Sequence, residues 1–247
     1  MKQFASSRPL ASWFLALLAL ALVQCTTLDY RNVQTDFEKA AMAEDGGADS
    51  VFVDRYQTVR ATLTDGYIMR LDPKLQSNAL MLRAVSEWRI GDWTAARQTA
   101  TKGQSKKPAP GSRDQVVLAM IDGMAAGSEV LAMKGKRDGK ITAKAYQADY
   151  QPVLENGWTS LVEAGDLFTG VTPTSVKDYW HFQRWKLLSI WHDTCTDIGV
   201  VGNAADTEAR RETQSAALKF IGAASFKEAK NEEARSVSEN SPYRSRM

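Results

Sequence analysis

The stretch LDPKLQSNALMLRAVSEWRIGDWTAARQTATKGQSKKP, residues 71–108, decides the fold. Ala79, Leu82, Val85 and Ser86 recur at helical spacing, which predicts a helix over residues 75–89. Gly91-Asp92 supplies a tight turn. Trp93, Ala96 and Ala100 then share one face of a second helix, residues 93–101, and a proline-containing loop closes the unit at Pro108. Small side chains at Ala79, Ala84, Ala95 and Ala96 let two antiparallel helices approach closely.

The same reading extends outward in both directions. Upstream, residues 34–44 carry Phe37, Ala40 and Ala41 at helical spacing and end at Asp45-Gly46-Gly47. A second helix is expected from about Ser50 to Arg70, with Val53, Tyr56, Val59, Arg60 and Leu63 on one face, stopped by Pro73. Downstream, Ser112 caps a helix over residues 113–126, which continues over 128–133 after a break at Gly127. The basic turn KGKRDGK, residues 134–140, follows. Further helices are expected over 143–148, 153–168, 175–198 and 206–221. No run of alternating β-branched residues bounded by turns occurs, so the class is all-α, built of stacked antiparallel hairpins. The last stretch, residues 227–247, is polar and charged and is expected to be disordered.

The 71–108 stretch resembles one tetratricopeptide repeat. Gly91-Asp92-Trp93 matches that family's turn and the aromatic opening its second helix. Ala84 and Ala96 match its small positions, and Leu71-Asp72-Pro73 matches the end of a preceding repeat. The prolines are 108 − 73 = 35 residues apart, against a repeat of about 34. Arg83 and Glu87 depart from the pattern, standing where apolar and aromatic residues belong. The resemblance implies an array over residues 34–226, because one repeat cannot bury its faces alone. A plain helical bundle with one repeat-like hairpin is the competing architecture. In such arrays the first helix of each hairpin lines the binding face. Arg83 and Glu87 are therefore the expected contacts to a partner protein, and an i,i+4 salt bridge between them is the alternative.

The N-terminus bears on the address. Lys2 and Arg8 precede LASWFLALLALALV, residues 10–23, a run without charge. A bilayer-spanning helix needs about 20 apolar residues, so this run suits a signal peptide, residues 1–24. Leu22-Val23-Gln24-Cys25 resembles the lipobox of bacterial lipoproteins, with Gln24 departing from the small residue usual before the cysteine. The resemblance implies a lipid on Cys25, a linker over 25–33 and, from Thr26, the periplasmic face of the outer membrane. Cleavage after Ala21 is the alternative and releases a soluble periplasmic chain. Two acyl chains anchor firmly where one does not.

Removing Lys2 and Arg8 with the leader leaves 31 − 2 = 29 basic residues against 29 acidic ones. That balance argues against nucleic acid as a partner, since its binders need a basic surface. Cys25 and Cys195 are the only cysteines, so acylation of the first precludes an intramolecular disulfide.

The segment KDYWHFQRWKLLSIWHDTC, residues 177–195, is the richest in chemistry. Trp180, Arg184, Leu187 and Trp191 fall on one helical stripe, and His181, Trp185, Leu188, His192 and Cys195 on the next. One reading is a ligand pocket lined by Trp180, His181, Arg184, Trp185, Trp191 and His192. The other, favoured because aromatic stripes fill cores, is a central core helix. His192 and Cys195 are too few ligands for a metal, and His181 is 11 residues from His192, about 16 Å along a helix. No cofactor is implied. Glu155, Glu163 and Asp166 raise the thought of a paired-carboxylate hydrolase, but no catalytic motif is present. The sequence therefore leads to a non-catalytic, membrane-anchored scaffold or assembly factor for other envelope proteins. A small-ligand-binding lipoprotein serving a transporter is the alternative.

Overall fold

The computed structural model describes residues 29–42, 49–137, 141–198, 226–241 and 244–246. Among these the fold is all-α, with one isolated parallel bridge between Ile141 and Ile198. Cys25, the leader and the helix expected over 206–221 lie outside the described residues.

The elements are α1 (29–42), α2 (Asp49–Thr62), α3 (Asp65–Arg70), α4 (Pro73–Arg89), α5 (Trp93–Ser105) and α6 (Arg113–Gly135). A turn at Ala143–Ala145 and a π-helical stretch, Tyr146–Tyr150, lead without a break into α7 (Gln151–Asp166). Then come α8 (Thr174–Thr196), α9 (Phe226–Ser236) and a 3-10 turn at Arg244–Arg246.

The hairpin read from residues 71–108 is α4–α5. The Asp72 carboxylate caps α4 by accepting from the Lys74 amide at 2.9 Å, and Pro73 takes the first helical position, where no amide hydrogen is needed. Gly91 sits at φ +85°, a conformation glycine adopts without strain. Asp92 then caps α5 by accepting from the Ala95 amide. With only three residues between them, α4 and α5 fold back and pack together over Ala79, Ala84 and Ala96, all fully buried.

The pattern repeats with variation. Ser112 caps α6, and α6 packs against α4, α5, α7 and α8, so it is the central helix. It runs through Gly127 unbroken, and that glycine gives Ile190 of α8 room to pack. The first helices of successive hairpins, α4, α6 and α8, are neighbours. The Trp88 indole donates to the Met124 carbonyl and the Ser128 hydroxyl, each at 3.0 Å, tying α4 to α6. The Trp180 indole donates to the Leu161 carbonyl, tying α8 to α7. Among the described residues only Arg113–Gly135 is long and apolar enough to span a bilayer, and most of it is buried in the core.

Three elements differ from the sequence reading. Helix α1 begins at residue 29, inside the expected linker, because Tyr30 and Val33 are buried and the Tyr30 hydroxyl donates to Asn78 at 2.5 Å. The helix expected over 50–70 is broken at Leu63–Thr64, where the Thr64 hydroxyl accepts from the Tyr67 amide and starts α3. Finally, the tail from residue 227 is helical as far as Ser236, because α9 docks on α8 with Glu233 and Val237 buried.

Candidate functional site: a groove on the first-helix face

The expected contact residues Arg83 and Glu87 do not face a partner. Glu87 is completely buried, and its carboxylate accepts from Arg83 Nε at 2.8 Å. Arg83 also donates to Asp65 at 2.6 Å and to the Leu63 carbonyl at 3.3 Å. Arg60 stands 3.8 Å from Glu87 and bonds Asp92 at 3.1 Å. The salt bridge is therefore the correct reading, extended into a network that fixes α2 and α3 against α4. Burial opposes the Arg83 charge, but the Glu87 and Asp65 carboxylates more than offset it and raise its pKa.

Hydrogen bonds from Lys102 and Arg83 hold the Asp65 carboxyl below the usual aspartate range. A depressed carboxylate contributes stability that is complete above its unfolded pKa and is lost as pH falls through the folded one. Asp65→Asn is thus expected to lower stability at pH 7, with the difference from wild type vanishing under acid. Urea melts across that range check it.

The proposed ligand-pocket residues of α8 divide between two structural tasks. Trp180 and Trp191 are core. Trp191 donates to the Tyr146 hydroxyl at 2.7 Å. His181 and Arg184 both meet the buried Glu233 of α9, at 2.7 and 2.8 Å. Burial pulls the Arg184 guanidinium below its ordinary pKa, and Glu233 pulls the other way. Trp185 stacks on Phe182 and carries Lys230 of α9 over its other surroundings at 5.2 Å. His192 is exposed beside Asp193. What the outer stripe of α8 receives is the chain's own C-terminal helix. Glu233→Gln removes the carboxylate that Arg184 and His181 share. It is expected to speed amide exchange across α9 by about tenfold or more, with α4–α6 unchanged.

The carboxylates do not form a pair. Glu163 and Asp166 are exposed, and Glu155 accepts from Gln151 at 2.7 Å. Burial pushes the Cys195 thiol pKa up, which disfavours the nucleophilic thiolate. Among the described residues no group of three His, Cys, Asp or Glu side chains is placed to hold a metal.

The site the structure offers is a groove of about 300 Å³ lined by the first helix of each hairpin. Helix α4 contributes Met81, Leu82, Val85 and Arg89. Helix α6 contributes Arg113 and Val117, and α8 contributes Tyr179 and Phe182. Gln34, Phe37, Glu38 and Ala41 of α1 form the opposite wall, braced by Phe37 packing edge-on against Tyr56 at 5.6 Å. Arg246 completes the rim. Sequence reasoning chose the right helix, α4, and the wrong side of it. The signal was the i, i+4, i+8 stripe Met81–Val85–Arg89, whose apolar members end in a cation. On α8 it lay in Tyr179 and Phe182, between the two stripes that were singled out. The chain matches no protein-family model, no curated protein and no solved structure, so function has to be argued from these residues.

Proposed function

We propose that this chain is a non-catalytic scaffold or assembly factor, lipid-anchored through Cys25 at the periplasmic face of the outer membrane. It holds other envelope proteins in the groove formed by α1, α4, α6 and α8. The observation that carries the reading is that the first helices of successive hairpins together line one apolar groove with a charged rim. Preformed grooves of this kind take an extended segment or a helix of a partner and read it through a few anchor side chains. The anchor is supported by LALVQC, residues 20–25, and by the short apolar run before it. The tetratricopeptide-like character is supported by the α4–α5 hairpin with its Gly91-Asp92 turn.

Two measurements test the reading separately. A clickable palmitate analogue is expected to label the wild type in the membrane fraction, and Cys25→Ser to lose label and anchor together. A soluble, unlabelled wild type beginning near Leu22 sinks the lipoprotein part. A photo-crosslinking amino acid at Phe182, in the groove, is expected to capture envelope proteins in intact cells. The same group at Thr101, exposed on α5, should not. Equal capture from both positions removes the groove from the account.

A further inference from the structure

The groove also specifies the chemistry of what fills it. Its floor is apolar: Met81, Val85 and Val117 are all buried yet still line the opening. A volume of about 300 Å³ is at the low end for sites that enclose a whole small molecule, roughly 300–1,000 Å³. It suits one large anchor side chain, the kind of group that dominates protein interfaces when it enters a desolvated pocket. The rim is lopsided in charge, with Arg89, Arg113 and Arg246 against Glu38 alone. This excess is local, because the chain without its leader has as many acidic as basic residues.

The arginines differ in setting. Arg89 lies over the Trp88 ring at 3.9 Å, which fixes its position. Arg113 is exposed and stands 3.8 Å from Asp114. That carboxylate is already engaged, accepting from Asn78 Nδ2 at 2.8 Å, so it leaves much of the Arg113 charge for an incoming anion.

Building on the scaffold reading above, we propose that the groove takes an acidic segment of a partner protein. One large apolar side chain of that segment sits on the Met81–Val85–Val117 floor, and carboxylates flanking it face Arg89 and Arg113. Charge complementarity selects this partner over a basic one, because like charges at a rim suppress association. It also favours fast, salt-sensitive encounter.

The test uses the full chain in lipid nanodiscs and fluorescein-labelled hexapeptides read by anisotropy. The peptide DEWLED is expected to bind about tenfold or more tightly than KKWLKK or DEGSED, which lack the charge or the anchor. Its affinity should fall as salt rises from about 50 to 500 mM. Arg113→Glu changes an exposed side chain, spares the fold and is expected to weaken DEWLED by about tenfold. Val85→Trp fills the floor and is expected to abolish binding. Tighter binding of KKWLKK that Val85→Trp still blocks overturns the acidic chemistry and leaves the groove reading standing. DEWLED binding untouched by both substitutions overturns the proposal and the groove together. Failure of every peptide overturns the proposal, and crosslinking from Phe182 then decides the groove reading by itself. A dimer by light scattering that Val85→Trp dissociates makes a second copy the occupant and overturns the partner.

Discussion

Alanine at Trp191 is expected to lower the unfolding free energy by about 3–5 kcal/mol, the range for truncating a buried tryptophan. The indole is completely buried, and it packs among the α6–α8 contacts that also bury Leu187 and Leu188. Two losses add. One is the cavity left by the ring, which a close-packed interior cannot fill by local relaxation. The other is the indole donor to the Tyr146 hydroxyl, a bond of 2.7 Å inside the core, whose removal deprives a buried oxygen of a partner. Trp191→Phe separates the two. It keeps most of the packing, loses the bond and should cost about 1–3 kcal/mol. Urea titration followed by far-ultraviolet circular dichroism measures both. A loss below about 1 kcal/mol for the alanine variant contradicts a core role for this stripe. The effect also reaches the groove, because α8 presents Tyr179 and Phe182 to it three turns earlier along the same rigid element.

The architecture was legible where the sequence carries local punctuation. Asp72-Pro73 and Gly91-Asp92 act through their own backbone angles and caps, so their consequences are visible without any partner. The core role of Trp180 and Trp191 was legible for a related reason, since a wide apolar arc on a helix has one economical destination. What was not legible depends on groups distant in sequence. Arg83 and Glu87 look like an exposed pair until Arg60 and Asp65 arrive from α2 and α3 to bury them. The tail looks disordered because α9 docks through charge more than through an apolar stripe. Glu233 meets Arg184 and His181, and the Ser238 amide donates to the buried Asp178. Composition is blind to that arrangement, because the same residues on an undocked helix read as a solvated tail. The groove was half legible. The first-helix rule named its location, but the face that lines it is set by where α1 packs, and α1 begins in what the sequence reads as linker.

Valine at Gly123 is expected to destabilise the chain by about 3 kcal/mol, the upper part of the range for overpacking. Intrinsic helix propensity predicts the opposite sign. Glycine in a helix interior costs about 1 kcal/mol relative to alanine, and valine is the better helix former of the two. Position decides. A β-carbon at Gly123 would lie 2.4 Å from Leu161 Cγ and 2.7 Å from the Gly157 carbonyl oxygen. Leu161 has other rotamers, but a backbone carbonyl has none, so relief requires moving α7 away from α6. A β-carbon at Gly157 would meet Ala126 at 2.4 Å, so the crossing is tight from both sides. Gly66 in α3 provides the reference, because nothing lies within 4 Å of its β-position. Gly66→Ala should therefore gain about 0.5–1 kcal/mol by propensity alone. Opposite signs for the two substitutions, measured in the same urea titration, assign the Gly123 effect to interhelical contact. Gain at both positions means that α6 and α7 have slack at their crossing. In that case α6 is free to shift Arg113 and Val117 with it, and the groove is a deformable surface where a preformed one is required.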